Sequence, residues 1–171
     1  MRRLAFVIIM LLSFAYAHAT HIVGGSLTYD QLGGSTYRIK LKLYRDCNGV
    51  PYPSSVNIQV FLQNGSLWDV ISIPFPGAIN LNPPIDTCAF NPGVCVQEAV
   101  YTKVVNNLPP QPGGYHLYWQ TCCRNCSLNN LTNPCSWMNG DTYYTKIPDN
   151  TQIITNSSPE WVNFPPVFVC V

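Results

Sequence analysis

The sequence predicts an all-β fold: a two-sheet antiparallel β-sandwich, Ig-like in the loose architectural sense and stapled by disulfides. Three observations point there. Beyond the apolar N-terminal run, no window sustains a helical period. Fifteen prolines and eleven glycines break the chain at strand-length intervals, leaving room for seven or eight short strands with a turn about every ten residues. The eight cysteines are an even number, all beyond residue 19, as in a disulfide framework of an oxidising compartment. Closure of the same strands into a barrel is the alternative architecture.

Residues 1–19, MRRLAFVIIMLLSFAYAHA, join two arginines, an apolar run and the small-residue pattern Ala17-His18-Ala19. This reads as a secretory signal peptide cleaved before Thr20. The apolar run falls short of the ~20 residues that span a bilayer, and no second run exists, so no stable membrane span is expected after cleavage. Residues 20–171 then form a single β-sandwich domain. Losing Arg2 and Arg3 from nine basic residues leaves seven against eight acidic ones. Such a balance offers no basic face for nucleic acid.

The strands follow in order. Residues 20–47 hold two runs joined at Gly33-Gly34, and in the second Tyr37, Ile39, Leu41 and Leu43 alternate with Arg38, Lys40 and Lys42. That is a half-buried strand of an antiparallel hairpin, and its charge stripe reads as a solvated face. Asp46-Cys47-Asn48-Gly49 has turn chemistry, and Pro51 and Pro53 bar a helix after it. A second hairpin places Val56, Ile58, Val60 and Leu62 on one face, turns at Asn64-Gly65 and returns over residues 67–73. The aperiodic stretch 74–91 is long enough to cross between sheets. In the next run, 96–105, Val96, Val100 and Val104 share a face. After a Pro/Gly turn comes GGYHLYWQT, in which Tyr115, Leu117 and Trp119 point one way and His116, Tyr118 and Gln120 the other. Asp141 to Ile147 makes the last strand, stopped by Pro148.

Candidates for chemistry are sparse. Cys123-Arg-Asn-Cys126 has CxxC spacing, which could be redox-active or bind zinc with Cys122 and Cys135, but it follows a strand rather than capping a helix. Structural half-cystines are the expected reading. His21 and His116 could act as bases, yet no HExxH, GxSxG or paired-carboxylate spacing accompanies them. Asp46, Asp86, Asp141 and Asp149 stand singly, as turn and capping residues do, and not in the groups calcium needs. No metal, cofactor or catalytic residue is assigned. Asn-x-Ser/Thr triplets at Asn64, Asn125, Asn130 and Asn156 matter only in a eukaryotic secretory route. The aromatics of HLYWQ and TYY are read as core, with a ligand-lining role as the other reading.

Taken together, THIVGGSLTY, YRIKLKLYRDCNG, GGYHLYWQTCCRN, DTYYTKIPD and NSSPEWVNFPP resemble the N-terminal module of large exported surface proteins of Bacteroidota. Members of that family often carry PKD or Ig-like repeats and end in a gliding-motility-associated, type IX secretion sorting domain. The resemblance spans essentially all of residues 20–171 and implies the N-terminal part of a longer protein. Family members usually continue past the point where this chain stops at Val171, and they lack further cysteines after CCRN, where this chain has Cys126 and Cys135. Those two are therefore expected to pair with each other. By proximity Cys88 is expected to pair with Cys95, while Cys122 and Cys123 reach toward Cys47 and Cys170. The function expected is that of a non-catalytic secreted or cell-surface structural or adhesion module, gliding-associated, meeting an unidentified protein or glycan partner. A small secreted carbohydrate-binding or hydrolytic protein is the alternative.

Overall fold

Side chains that are apolar at every second position give most strands one face to bury, and the strands bury those faces against each other in two layers. A computed structural model describes residues 22–81, 95–122, 132, 139–151 and 155–159. Among them are eight strands: β1 (Ile22–Gly33), β2 (Thr36–Asp46), β3 (Ser55–Leu62), β4 (Leu67–Pro74), β5 (Ile79–Leu81), β6 (Val96–Val105), β7 (Tyr115–Thr121) and β8 (Asp141–Ile147). They form two four-stranded sheets, ordered β1-β2-β6-β5 and β4-β3-β7-β8, and every recorded pairing is antiparallel. This is the disulfide-stapled β-sandwich expected. Both predicted hairpins form, with Gly34 in the first turn and Gly65 in the second at positive φ. The crossing from β4 back to the first sheet also forms, and it contains the short β5 that no periodicity announced.

Between the layers lie Ile39, Leu41 and Leu43 from β2, Val56, Ile58 and Val60 from β3, and Tyr115, Leu117 and Trp119 from β7, all buried. Each fully buried aliphatic side chain contributes about 1.5–3 kcal/mol. Three phenols in this core are hydrogen-bonded to backbone carbonyls. Tyr101 donates to the Pro53 carbonyl at 2.8 Å and Tyr115 to the Pro109 carbonyl at 2.8 Å. Tyr52 lies within reach of the Leu43 carbonyl at 3.1 Å and the Gln97 carbonyl at 2.7 Å. Burial pushes the Tyr52 and Tyr101 phenols up to about 12.

Strand β6 departs from expectation. Its buried side chains are Ala99 and Tyr101, whereas Val104 is exposed and Val100 only half-buried. The register with β2 decides this, because Tyr101 lies opposite Leu41 and Ala99 opposite Leu43, while Val100 and Val104 lie opposite Lys42 and Arg38. Outside, the valines flank the long stems of charged residues. The charge stripe itself is ion-paired: Asp30 meets Lys40 at 3.2 Å and Arg38 at 3.5 Å, and Glu98 meets Lys42 at 3.8 Å.

The disulfide differs too. Cys95 bonds to Cys47, with Cα atoms 5.4 Å apart, and not to Cys88. The expected reach of Cys122 or Cys123 to Cys47 falls with it. Register again supplies the reason. Asp46 pairs with Val96 at the end of the β2–β6 ladder, so one residue further on Cys47 faces Cys95 and its N–H donates to the Cys95 carbonyl at 3.1 Å. Cys88, Cys123, Cys126, Cys135 and Cys170 lie outside the described residues, and with them the expected Cys126–Cys135 pair and the reach to Cys170. Beneath the 47–50 turn, Arg45 is buried. Its guanidinium donates to the Gly49 and Val50 carbonyls at 2.8 Å and to Gln97 Oε1, and it lies 5.2 Å from the Tyr52 ring centroid.

Residues 155–159 close one side of the sandwich. Ser158 donates its N–H to the Tyr29 carbonyl at 2.8 Å, its hydroxyl accepts from Tyr29 N at 3.1 Å, and the same hydroxyl lies 3.3 Å from Thr145 Oγ1. The segment thus bridges β1 of one sheet to β8 of the other. For the disulfide the expected outcome is concrete: its sequence separation of 48 makes the chain-entropy contribution about 4 kcal/mol. A Cys47→Ala/Cys95→Ala variant should lose roughly that much in urea denaturation under nonreducing conditions, and an unchanged midpoint would contradict the pairing.

Candidate functional site

Alternation gives the second sheet an outer face as well defined as its inner one. Phe61 of β3 lies opposite His116 of β7, and Gln59 opposite Tyr118. On the far side of β7, His116 lies opposite Lys146 and Tyr118 opposite Tyr144 of β8. Cross-strand neighbours on one face are within side-chain contact, so four rings meet there. Phe61 stands edge-on to Tyr118, with centroids 5.6 Å apart and planes at 82°. Tyr118 and Tyr144 are 4.8 Å apart at 36°, and His116 and Tyr144 are 5.9 Å apart at 22°. The last three form a sloping platform with Phe61 as a wall. Tyr144 is 47% exposed, a large apolar ring left in water on purpose or at a cost.

A shallow groove of about 420 Å³ runs beside the rings, lined by Gln59, Phe61, Gln63, His116, Tyr118 and Gln120 together with Leu62 and Gly65 of the β3–β4 hairpin. Among the described residues no carboxylate, lysine or arginine lines it. Gln120 donates to Thr142 Oγ1 at 3.3 Å. The Gln59 amide and the Tyr118 hydroxyl make no side-chain hydrogen bond to another described residue, so their donors and acceptors face the groove and water.

Gln63 organises the end of the groove. Lys146 can only donate, so the Gln63 atom 3.4 Å from its Nζ is the amide oxygen. That oxygen also lies 2.9 Å from His116 Nε2, which must therefore carry the imidazole proton; Nδ1 then accepts from the Tyr144 hydroxyl at 2.8 Å. The neutral ring satisfies every partner. Partial burial and, next, the positive charge of Lys146 hold the His116 pKa below its ordinary value. Gln63 reaches this position because Gly113 has no side chain: a Cβ there would lie 2.8 Å from Gln63 Cβ, and its φ of +79° is one that few other residues adopt.

The sequence-based candidates scatter. His116 enters this face, held by an amide and a phenol rather than beside a cysteine or serine. Tyr118 and Tyr144, read first as core, are on the outer face, while Tyr115 and Trp119 are core as expected. Asp46 accepts the Asn48 N–H at 2.9 Å in the turn after β2, and Asp149 accepts from the Thr151 hydroxyl and N–H and then from Gly113 N at 3.2 Å, which hold its carboxyl below the usual range. Among the described residues no group of three His, Cys, Asp or Glu converges as a metal site. His21, Asp86 and the CxxC pair lie outside the described residues. Gln63 and Lys146 escaped sequence reasoning, since nothing local marks a turn glutamine or a strand lysine as neighbours of one histidine. No family model, curated protein or solved structure matches the chain.

The protonation of His116 has a definite sign. The folded chain binds this proton less readily than the unfolded one, so its contribution to stability is full above the ordinary value of 6.5 and is lost as the pH falls below it. An NMR titration should place the His116 midpoint below 6.5, and Lys146→Ala should raise it. A midpoint above the ordinary value would show that the ring does not hold the neutral arrangement described.

Proposed function

We propose that this chain is a non-catalytic module of the cell surface or exterior, serving adhesion or surface assembly, and that the outer face of the second sheet is what it presents to its partner. One observation carries the reading: of the two outer faces, the first sheet's is ion-paired and wet, whereas the second sheet's clusters Phe61, Tyr118 and Tyr144 beside the amides of Gln59 and Gln120. Aromatic residues with hydrogen-bonding neighbours on a rigid scaffold make good recognition surfaces, since they supply contact area at little entropic cost. The Cys47–Cys95 disulfide fits an oxidising exterior. The signal-peptide-like N-terminus and the resemblance to Bacteroidota surface modules support the same setting, with gliding-associated architecture as the biological context.

The exposed aromatics favour the binding half of the alternative reading, a secreted carbohydrate-binding or hydrolytic protein. Hydrolysis of a glycoside ordinarily needs two carboxyl groups flanking the bond, and the described lining of the groove consists of rings, amides and the residues of a turn. Cells displaying the chain are expected to attach to their natural surface several-fold better than cells displaying a Tyr118→Ala/Tyr144→Ala variant at equal surface density. Equal attachment, together with turnover of a glycan or peptide substrate by the purified chain, would overturn the proposal.

A further inference from the structure

The geometry points to a ligand class for this face: we infer that it binds a neutral glycan, with a pyranose unit stacked on the Tyr118–Tyr144 cluster and its hydroxyl rim in the adjoining groove. The inference rests on the recognition-surface reading above and deepens it. A pyranose ring is amphipathic, with a face of axial C–H bonds and a rim of hydroxyls that both donate and accept. Its apolar face needs an exposed aromatic plane, and its rim needs groups with both hydrogen-bonding roles. The sheet supplies the two together.

Tyr118 and Tyr144 lie 4.8 Å apart with planes inclined at 36°, so the rings overlap in part and together offer one sugar unit an aromatic surface, Tyr144 being 47% exposed. Phe61 stands at 82° to Tyr118, so it bounds the platform on one side instead of extending it.

Amides flank the platform. Gln59 is the direct cross-strand neighbour of Tyr118, and its carboxamide makes no side-chain hydrogen bond to another described residue. Gln120 lies two residues along β7 and spends one N–H on Thr142. Each primary amide offers a carbonyl acceptor and N–H donors, the pair that a vicinal diol engages. Charge argues for a neutral sugar: among the described residues no carboxylate, lysine or arginine lines the groove, and Lys146 beside it is turned onto Gln63. His116 is held by Gln63 and Tyr144 and so fixes the platform's edge rather than offering a proton.

The test uses the full chain recovered from an oxidising secretory host, with cellohexaose, laminarihexaose and xylohexaose as neutral probes and oligogalacturonate as the acidic one. Backbone amide NMR shifts should move at Gln59, Tyr118, Gln120 and Tyr144 with at least one neutral probe, insensitive to salt. Tyr118→Ala should weaken that binding at least about tenfold, while Tyr118→Phe, which keeps the ring, should lose only about threefold or less. The dispersion of the remaining spectrum reports whether each variant is folded, and Gln59→Ala, a change to one exposed side chain, gives a second route to the same loss. Binding confined to oligogalacturonate and abolished by salt would overturn the neutral-glycan assignment, as would neutral binding that ignores Tyr118→Ala and Gln59→Ala. Silence toward all sugars with attachment still dependent on Tyr118 and Tyr144 would remove the glycan and leave a protein-binding face. Silence together with attachment that ignores both tyrosines would remove the recognition surface itself.

Discussion

The register of β7 is the constraint on which both the core and the outer face depend. A slip of one residue would carry Tyr115, Leu117 and Trp119 into water and bury His116, Tyr118 and Gln120. The turn before the strand prevents it. Gly114 N donates to the Gln111 carbonyl at 2.9 Å, Gln111 N donates to Asn150 Oδ1 at 2.8 Å, and Gly113 N donates to the Asp149 carboxylate at 3.2 Å. The start of β7 is thereby tied to the residues that follow β8. At Gly114 the fit is so close that an added Cβ would lie 2.1 Å from the Ile147 carbonyl oxygen. The Tyr115 hydroxyl, bonded to Pro109, anchors the strand from inside the core.

With β7 placed, the two sheets take different outer surfaces from the same alternation. On the first, lysines and arginine alternate with core residues along β2 and find Asp30 and Glu98 across the neighbouring strands. Surface pairs of this kind contribute about 0–1 kcal/mol each, so they serve solubility more than cohesion. The second sheet puts rings and amides in the equivalent positions. Cohesion comes instead from the shared interior, from the disulfide that prolongs the β2–β6 ladder, and from residues 156–158, where Asn156 N donates to Gln31 Oε1 at 2.7 Å and Ser158 bridges β1 and β8. A scaffold held this way can keep a rigid face exposed without asking that face to stabilise it.

Much of this was legible in the sequence where the signal was local. The alternation of β2, the Asn64-Gly65 turn and the opposite parities within β7 can be read directly, and they bring the fold class with them. What required pairing between distant segments could not be read. Val96, Val100 and Val104 form as good a periodic set as Ala99 and Tyr101, and only alignment with β2 shows which set is buried. Proximity in sequence favours Cys88 for Cys95, yet a ladder that began far away delivers Cys47 instead. The same applies to the aromatic face. HLYWQ and TYY hold both core and surface rings, and the cluster of Phe61, Tyr118 and Tyr144 exists only after β3, β7 and β8 are side by side.

If β7 divides its labour between faces, adjacent residues on it must differ sharply in what they contribute to folding. Urea denaturation of Leu117→Ala beside Tyr118→Ala measures that division directly. Leu117 is 1% exposed, and its truncation should cost about 2–5 kcal/mol as buried contacts are lost and a cavity is left. Truncating Tyr118, which loses only cross-strand ring contacts, should cost about 1 kcal/mol or less. A Tyr118→Ala loss as large as that of Leu117→Ala would contradict the division, since the outer rings would then be a second core and not a surface kept free for a partner.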